Sequence, residues 1–387
     1  MRKCLRFTCL LILAGISIPL KLGAQVSGEA GYSILYTDNP FRSNGGGQEI
    51  VNLVQPSITY KPFQSEFYTG YSFGYSSFKN SSDRSYYYHS GELSYAFRLG
   101  VDTTEDENIS LGASYMKASN NSGGGVYSYD AYSVNASGKF FLQDNLLLTA
   151  GYALSGKSYP ALYDLSYTVN SGFMRMSLFF ETKTSLFLEA QLGNKSYSVE
   201  DPVEITINRP GNHGMEGGSI VLVRNSYIST NITQLRVMPK ISQTVLEGVG
   251  MNLHYMWRKN LDKNSAISLS EFIYSDDEDL WDDPYSFESN EAGSELTIKL
   301  PWAMTFKASL EQSYRNYTEN LAEAGTVSQR KDRRTEIWFG LNKEFTDLPL
   351  INALEAGLEF MRVMNHSNES ALSYNNNMAM FRVSVGF

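Results

Sequence analysis

Four histidines are the residues of this 387-residue chain best suited to acid–base chemistry near neutral pH. His89 precedes Ser90, which could supply a base and a nucleophile, but adjacent residues of a strand point to opposite faces. His254 shares a face with Arg258, whose positive charge would oppose a catalytic base. No glycine-rich phosphate loop, HExxH zinc motif or nucleophile elbow occurs. We therefore predict that the protein is not an enzyme and binds no cofactor or metal. The remaining two histidines lie in predicted loops without an evident partner: His213 and His366.

Two charged runs could bind ions. The run DDEDLWDD at 276–283 has six carboxylates in eight positions, and carboxylate oxygens are the ligands that Ca²⁺ prefers. It lacks the glycine-punctuated ligand order of calcium loops, so we interpret it as a solvated acidic loop. The run QRKDRR at 329–334 is basic, and its side chains could bind phosphate groups or pair with the acidic run.

The first 24 residues have the pattern of a secretory signal peptide. MRKCLR supplies the positive end, Phe7–Leu20 is apolar, and the small residue Ala24 stands before Gln25. The alternative is an N-terminal membrane anchor, which the short apolar stretch disfavours. We predict cleavage after residue 24 and a single domain over 25–387.

The predicted mature chain is acidic, aromatic and free of cysteine. Removing residues 1–24 removes both cysteines and four positive charges, which changes the net charge from −9 to −13. An acidic chain of this kind is a poor partner for nucleic acid. The 51 aromatic residues (26 Tyr, 21 Phe and 4 Trp) exceed what the core of a soluble domain requires. The four positive residues are Arg2, Lys3, Arg6 and Lys21.

A hydrophobic period of two follows residue 25 and predicts strands of about nine to twelve residues, each with one apolar and one polar face. Short and long polar connections alternate between these strands, which is typical of an up-and-down antiparallel sheet. The clearest strand patterns lie at 92–99, 132–140, 146–154, 186–192, 306–311 and 354–360. The short connections lie at 142–145, 181–184 and 300–304, and the long ones begin at Thr37, Asn80, Ser119 and Glu200.

Two architectures fit an all-antiparallel chain of this length: a pair of soluble β-sandwich domains, or one closed barrel in a membrane. Sandwich strands average about five or six residues, whereas a membrane-spanning strand needs about nine to eleven. The strand length and the aromatic excess favour the barrel, because tyrosine and tryptophan form girdles at both membrane interfaces.

The last strand ends on an aromatic residue. Phe381, Val383, Val385 and the terminal Phe387 alternate with polar or small residues. This pattern resembles the closing strand of bacterial outer-membrane β-barrel proteins, which ends in an aromatic residue. The resemblance extends at the level of architecture over the whole mature chain and identifies no subfamily. It implies an outer-membrane location in a Gram-negative bacterium, outer-membrane lipids as surroundings, and recognition of these four residues by the barrel-assembly machinery.

A sheet that spans the membrane has to close into a barrel. An unpaired backbone amide costs several kcal/mol in hydrocarbon, so the strand near Val26–Tyr36 must pair with the strand that ends at Phe387. We count 16 to 18 strands. The number must be even, because both termini should lie on the periplasmic side, and we predict 16. The uncertainty lies between Gly217 and Ser242, where the strands are blurred and Pro239 interrupts the pattern.

If the apolar faces contact lipid, the polar faces line the lumen. A barrel of this width leaves a water channel unless a loop folds in. The candidate for an inward loop is 200–218, but we favour the interpretation that it is a surface loop. Positive and negative residues nearly balance, which predicts weak charge selectivity. The predicted lumen-lining residues are Glu92, Arg98, Lys139, Glu189, Arg258, Lys307, Glu311, Arg315, Glu355, Glu359 and Arg382.

Three functions remain open on the sequence alone: a porin-like passive channel for small polar solutes, a non-conducting barrel that displays loops for binding, and the membrane subunit of an export or surface assembly with a partner. The first is favoured by the polar lumen of mixed sign. The outer leaflet adds one expected partner, since the basic run could contact lipopolysaccharide phosphates. The candidate contacts are Arg330, Lys331, Arg333 and Arg334.

Overall fold

The structure is a computed structural model, in which the chain consists almost entirely of long strands. It describes residues 25–40, 47–62, 66–99, 107–120, 128–161, 163, 166–197, 204–208, 219–223, 231–262, 283–323, 326–346, 348 and 351–387. The predicted signal peptide at 1–24 and residues 276–282 of the acidic run lie outside this part. In the described ranges, no helix is long and apolar enough to cross a membrane.

The strands are β1 (Gln25–Thr37), β2 (Glu49–Lys61), β3 (Phe67–Phe78), β4 (Tyr86–Arg98), β5 (Asn108–Asn120), β6 (Tyr129–Gln143), β7 (Leu146–Ser158), β8 (Tyr167–Phe179), β9 (Thr184–Tyr197), β10 (Glu204–Asn208), β11 (Ser219–Val223), β12 (Asn231–Leu246), β13 (Val249–Asn260), β14 (Phe287–Leu300), β15 (Met304–Glu323), β16 (Thr326–Phe345), β17 (Ala353–Ser367) and β18 (Tyr374–Gly386). Short 3₁₀ turns lie at Ser82–Arg84, Pro284–Ser286 and Ser370–Leu372.

Sixteen of these described strands form one closed antiparallel barrel, and β10 and β11 form a separate two-stranded sheet. Each barrel strand pairs with its sequence neighbours, β9 pairs with β12, and β18 pairs with β1. At this closing seam Ala30 lies opposite Val385 and Tyr36 lies opposite Ala379. The prediction of a closed barrel of 16 strands is confirmed, as is the pairing of the first strand with the last.

The start of the first barrel strand and the end of the last one lie on the side of the barrel that carries the short turns. Connections of two to four residues join strands at 144–145, 180–183, 247–248 and 301–303, and Gln25 and Gly386 lie on that same side. Gly248 occupies one of the two-residue turns with φ of 78°, a conformation that glycine adopts without strain. We call this side the short-loop end, and the opposite side, which carries the connections 198–230 and 261–286, the long-loop end.

Strand β12 runs through Pro239, where the sequence pattern is blurred. Its pairing with β9 is continuous, and Pro239 lies opposite Leu188. Its register with β13 has a gap between Val237 and Lys240, which pair with Trp257 and His254. Proline has no backbone N–H to donate, so the ladder is interrupted on one side only and the strand continues.

The outward faces of the strands form the apolar belt that the barrel architecture requires. Leu93 is 51% exposed, Val134 is 53% exposed and Leu358 is 57% exposed, so the large apolar residues are not packed in an interior. A soluble sandwich would bury this face. The exposure of the belt therefore excludes the sandwich alternative and leaves the polar faces to line the inside.

Candidate functional site

The inner face of the barrel has two unlike walls. The inner positions of β3–β7 carry mostly small side chains, and in one row Ser114, Ser133 and Ser155 lie side by side. The inner positions of β8, β9 and β12–β18 carry most of the charged residues. Residues of one strand alternate between faces, so the inner Glu189, for example, is flanked by the outward Leu188 and Ala190. The charged wall is the candidate functional site.

The structure places all eleven predicted lumen residues on the inner face, although their role in a solute path stays a prediction. Arg98 pairs with Glu66 at the short-loop end, with 2.6 Å between Nη2 and Oε1. The Arg382 guanidinium lies 3.2 Å from Glu355 and 3.9 Å from Glu359. These contacts tie inner charges of opposite sign together, so few of them stand alone.

Glu189 is the centre of the charged wall. Its side chain is 5% exposed and accepts hydrogen bonds from two arginines on the neighbouring strands. Arg175 donates from Nε at 2.8 Å, and Arg236 donates from Nη2 at 2.7 Å. The two guanidinium side chains remain 45% and 34% exposed. The two exposed guanidiniums and the one buried carboxylate therefore give this trio a net positive charge, which faces the lumen.

A stack of arginines and aromatic rings lies nearer the long-loop end. The Phe287 ring lies between two guanidinium groups, with Arg258 at 4.9 Å and Arg315 at 4.5 Å from its centroid. Tyr317 packs 5.3 Å from Phe287, and Arg330 lies 3.9 Å above the Tyr317 ring. Cation–π contacts of this kind hold long cationic side chains in fixed positions.

A buried ion pair anchors the end of the 261–286 connection inside the barrel. Lys195 Nζ lies 2.6 Å from Asp283 Oδ2, and the two side chains are 2% and 1% exposed. The Tyr197 hydroxyl donates to the same carboxylate oxygen at 2.8 Å, and the ammonium lies 3.6 Å from the Tyr167 ring centroid. We call Asp283–Ser286 the inner turn. Asp283 is thus fully buried, contrary to our interpretation of the acidic run as solvated.

The inner turn has further contacts on two strands of the charged wall. Gln234 Nε2 donates to the Pro284 carbonyl at 2.8 Å, and Asn260 Nδ2 donates to the Tyr285 carbonyl at 3.3 Å. The Tyr285 hydroxyl occupies the space where a Cβ on Gly193 would stand, 2.1 Å away. The turn is therefore fixed against the wall. The candidate inward loop at 200–218 is described only at β10 (Glu204–Asn208), and the choice between an inward and a surface loop is not tested.

Large inner side chains lie flat against the wall because glycines make room for them. A Cβ on Gly74 would lie 2.1 Å from the Tyr88 ring, and a Cβ on Gly293 would lie 2.2 Å from the His254 ring. Rings that cover glycines in this way project less into the lumen. His254 Nε2 also lies 3.8 Å from Glu311 Oε2, across the intervening strand.

The basic run 329–334 is divided by the strand period. Arg330 and Arg334 face inward, where Arg330 Nη2 lies 2.6 Å from Asp332 and Arg334 Nε lies 2.5 Å from Glu336. The expectation that these two arginines contact lipopolysaccharide is wrong, because they are buried in the lumen wall. Lys331 and Arg333 face outward and are exposed.

The closing strand presents the predicted assembly residues on its outward face. Phe381 lies opposite Ile34, and Val383 and Val385 continue the same face. Phe387 exchanges two backbone hydrogen bonds of 2.9 Å with Gly28, and its ring covers that glycine. Their recognition by assembly machinery stays a prediction.

The three histidines in the described ranges provide no catalytic grouping that the geometry supports, and His213 lies outside these ranges. His89 faces outward and contacts the Tyr71 hydroxyl at 2.6 Å, while its neighbour Ser90 faces inward. His366 lies in β17, not in a loop as predicted, and faces outward. Among the described residues, no cluster of histidines and carboxylates could hold a metal ion. The absence of enzymatic activity stays a prediction.

Sequence reasoning missed several members of the charged wall, above all Arg175, Arg236, Lys195 and Glu291. Arg236 lies on β12, where Pro239 obscured the period. The alternation of Gln234, Arg236 and Lys240 with apolar residues was the signal that could have placed it inside. The burial of Asp283 had no such signal, because it depends on where a loop folds.

Fold and site together define a class: a closed transmembrane β-barrel of 16 strands with a charged inner wall and an apolar outer belt. No family model matches the chain, and no curated protein sequence matches it significantly.

Solved structures of similar fold are bacterial outer-membrane β-barrels. A bacterial polysaccharide outer membrane secretin is 11% identical with a TM-score of 0.48, covering 94% of this chain and 98% of the other. OccAB1 of Acinetobacter baumannii is 8% identical with a TM-score of 0.49, covering 94% and 96%. OprD of Pseudomonas aeruginosa is 9% identical with a TM-score of 0.47, covering 94% and 95%. At these identities the likeness concerns the fold alone, and the subfamily is not resolved.

Proposed function

We propose that this protein is a porin-like channel in the outer membrane of a Gram-negative bacterium, which lets small polar solutes pass. The observation that carries the proposal is the closed 16-stranded barrel with inner side chains lying against its wall. Strands about 4.8 Å apart and tilted about 40° close into a cylinder with a backbone diameter of about 32 Å. Side chains on the wall cannot fill that width, and barrels of 16 strands leave an aqueous channel.

The paired charges support weak selectivity between cations and anions. Most charges of the wall face an opposite charge, as in the trio around Glu189 and the pair Arg258 and Glu291, whose closest atoms are 3.7 Å apart. A lumen without a large excess of either sign discriminates little between small ions. The proposed substrates are therefore small polar solutes defined by size more than by charge.

Conductance in a planar bilayer tests this function. The refolded protein is expected to pass K⁺ and Cl⁻ with permeabilities within about threefold of each other. The triple variant S114W/S133W/S155W, which adds three indoles to the small-residue wall, is expected to lower conductance by about half. The matched control A113W/V134W/L154W adds the same rings to the neighbouring row, which faces outward, and should leave conductance unchanged. A wild-type barrel that passes no ions would overturn the proposal.

Glu189→Gln is expected to make the channel prefer anions. The substitution leaves the exposed guanidiniums of Arg175 and Arg236 without their shared carboxylate, so the ratio of Cl⁻ to K⁺ permeability should rise about threefold at low salt. High salt should weaken the shift by screening. Glu288→Gln removes the same charge from the outward face, where Glu288 pairs with Lys259, and should not change the ratio. Equal ratios in the wild type and in E189Q would show that the trio does not face the ion path.

A further inference from the structure

The outward face of β16 and β17 carries a cluster of exposed cations near the long-loop end. We call Lys331, Arg333 and Arg362 the outer basic patch. All three side chains are exposed, as is His366, which lies opposite Arg333 in the strand register. Arg362 lies opposite Ile337, which is six residues along β16 from Lys331, so the patch spans roughly 20 Å of the barrel surface along the strands.

The outer basic patch lacks the carboxylates that neutralise comparable cations elsewhere on the barrel. Lys117 lies 3.8 Å from Asp130, and Lys259 lies 2.8 Å from Glu288, both pairs on the outward face. Within the described part of the chain, no carboxylate forms an ion pair with a member of the patch. Its positive charge is therefore available to a ligand.

Arg333 is held in place by uncharged neighbours. Its guanidinium lies 5.6 Å from the Tyr314 ring centroid. The Gln312 side-chain oxygen, in the orientation that satisfies both amide atoms, accepts from Arg333 Nη2 at 2.8 Å and from Nε at 2.9 Å. Contacts of this kind fix the direction of the side chain without neutralising its charge.

The patch adjoins the apolar belt directly. Along the same outward faces towards the short-loop end stand Ile337 and Phe339 on β16, then Leu358 and Phe360 on β17. Of these, Phe339 is 42% exposed and Leu358 is 57% exposed. A ligand that fits here has anionic groups at the level of the patch and acyl chains along the belt. That chemistry describes a phosphorylated glycolipid of the membrane leaflet.

We propose that the outer basic patch binds the phosphates of lipopolysaccharide in the outer leaflet. The proposal rests on the outer-membrane location proposed above and not on conduction. Guanidinium and phosphate form charge-assisted, often bidentate hydrogen bonds, and the patch offers two guanidiniums and one ammonium on one face. The division of the run 329–334 gives each half its own role, since Arg330 and Arg334 stabilise the inner wall while Lys331 and Arg333 face the lipid.

Binding of lipid A by the purified full-length protein in detergent, measured by native mass spectrometry, tests the proposal. The wild type is expected to retain bis-phosphorylated lipid A at least about tenfold better than its phosphate-free derivative. The triple variant K331Q/R333Q/R362Q is expected to lose that preference. The matched control K117Q/K259Q, which removes outward cations that already have carboxylate partners, should keep it.

Heat-modifiable migration on a gel establishes that each variant is a folded barrel before binding is measured. Planar-bilayer conductance of K331Q/R333Q/R362Q should equal that of the wild type, because the patch lies outside the lumen. Loss of lipid A binding with unchanged conductance supports the proposal independently of the channel function. Equal binding of phosphorylated and phosphate-free lipid by the wild type, or full retention by the folded triple variant, would overturn it.

Discussion

Replacing Asp283 by leucine is expected to release the inner turn from the barrel wall at a local cost of about 3–5 kcal/mol. The reason is burial: Lys195 and Asp283 are 2% and 1% exposed, so removing the carboxylate leaves an ammonium in the wall without its counter-charge. The Tyr197 hydroxyl loses its acceptor as well. Cation–π contacts with the aromatic rings around Lys195 offset only part of the free energy lost with the Asp283 carboxylate.

The release has two measurable consequences. Amide hydrogen exchange at Ser286, whose N–H donates to the Asp283 backbone carbonyl, should become faster in D283L than in the wild type, because the turn no longer docks on Gln234 and Asn260. Single-channel conductance should rise, since Tyr285 no longer occupies the wall beside Gly193 near the long-loop end. The rest of the barrel should keep its slow exchange, because the sixteen-stranded ladder does not depend on this pair.

Two further variants separate the ion pair from other roles of Asp283. Asp283→Asn keeps an acceptor for the Tyr285 backbone N–H, which now bonds Asp283 Oδ1 at 3.0 Å, and removes only the charge. The double variant K195M/D283L removes both charges and should restore most of the protection of the turn, since a buried pair can be replaced by apolar residues at little cost. If D283L and the wild type exchange alike at Ser286, the ion pair does not hold the turn.

Deleting Phe387 is expected to lower the amount of assembled barrel by about tenfold or more. The residue makes the last two backbone hydrogen bonds of the seam, both with Gly28 at 2.9 Å, and its ring covers the same glycine. In hydrocarbon each unpaired backbone group costs several kcal/mol, so a seam that ends one residue early leaves Gly28 unsatisfied at the membrane edge. The measurement is the heat-modifiable band in the membrane fraction of expressing cells.

Substitutions at Phe387 and Gly28 separate the contribution of the Phe387 ring to assembly from that of the Phe387 backbone hydrogen bonds. Phe387→Tyr keeps an aromatic ring and the backbone bonds, so it should assemble as the wild type does. Phe387→Ala keeps only the backbone bonds, so its amount of assembled barrel should lie between those of the wild type and the deletion variant. Gly28→Ala places a Cβ 2.4 Å from the ring in its present position, so it should reduce assembly of the wild type but have little effect in the F387A background. Additive effects of G28A and F387A would contradict the contact.

Refolding into phospholipid vesicles without cellular factors addresses the predicted recognition by assembly machinery. If Phe387 acts through the seam alone, F387A should be impaired equally in vesicles and in cells. If the ring is also recognised, as the resemblance to outer-membrane barrels implies, F387A should refold in vesicles much better than it assembles in cells.

The period of two determined the fold from the sequence. Residues such as Leu93 and Val134 could only be placed on the outward face, because a strand presents alternate residues to opposite sides and a spanning strand must expose its apolar side to lipid. The pairing of the first strand with the last followed from the need to pair every strand in hydrocarbon, and the count of sixteen came from the strand patterns together with the even number that two periplasmic termini require. The alternation of residues between faces also placed the predicted inner charges, such as Glu189 and Arg315, on the lumen side.

The tertiary structure alone decided which charges meet. Strand register brings Arg175 and Arg236 to opposite sides of Glu189 although 61 positions separate the two arginines in the sequence, and no local pattern encodes that distance. The tertiary structure also decided that Asp283 is buried. A loop has no hydrophobic period from which burial could be predicted, and the burial of Asp283 depends on a lysine 88 positions away. The sequence by itself thus determined the barrel, its closing seam and the direction of residues in the strands with a clear period of two, since these follow from local alternation and the membrane. The ion pairs, the inner turn and the unpaired outer basic patch required the fold, since they depend on contacts between distant strands.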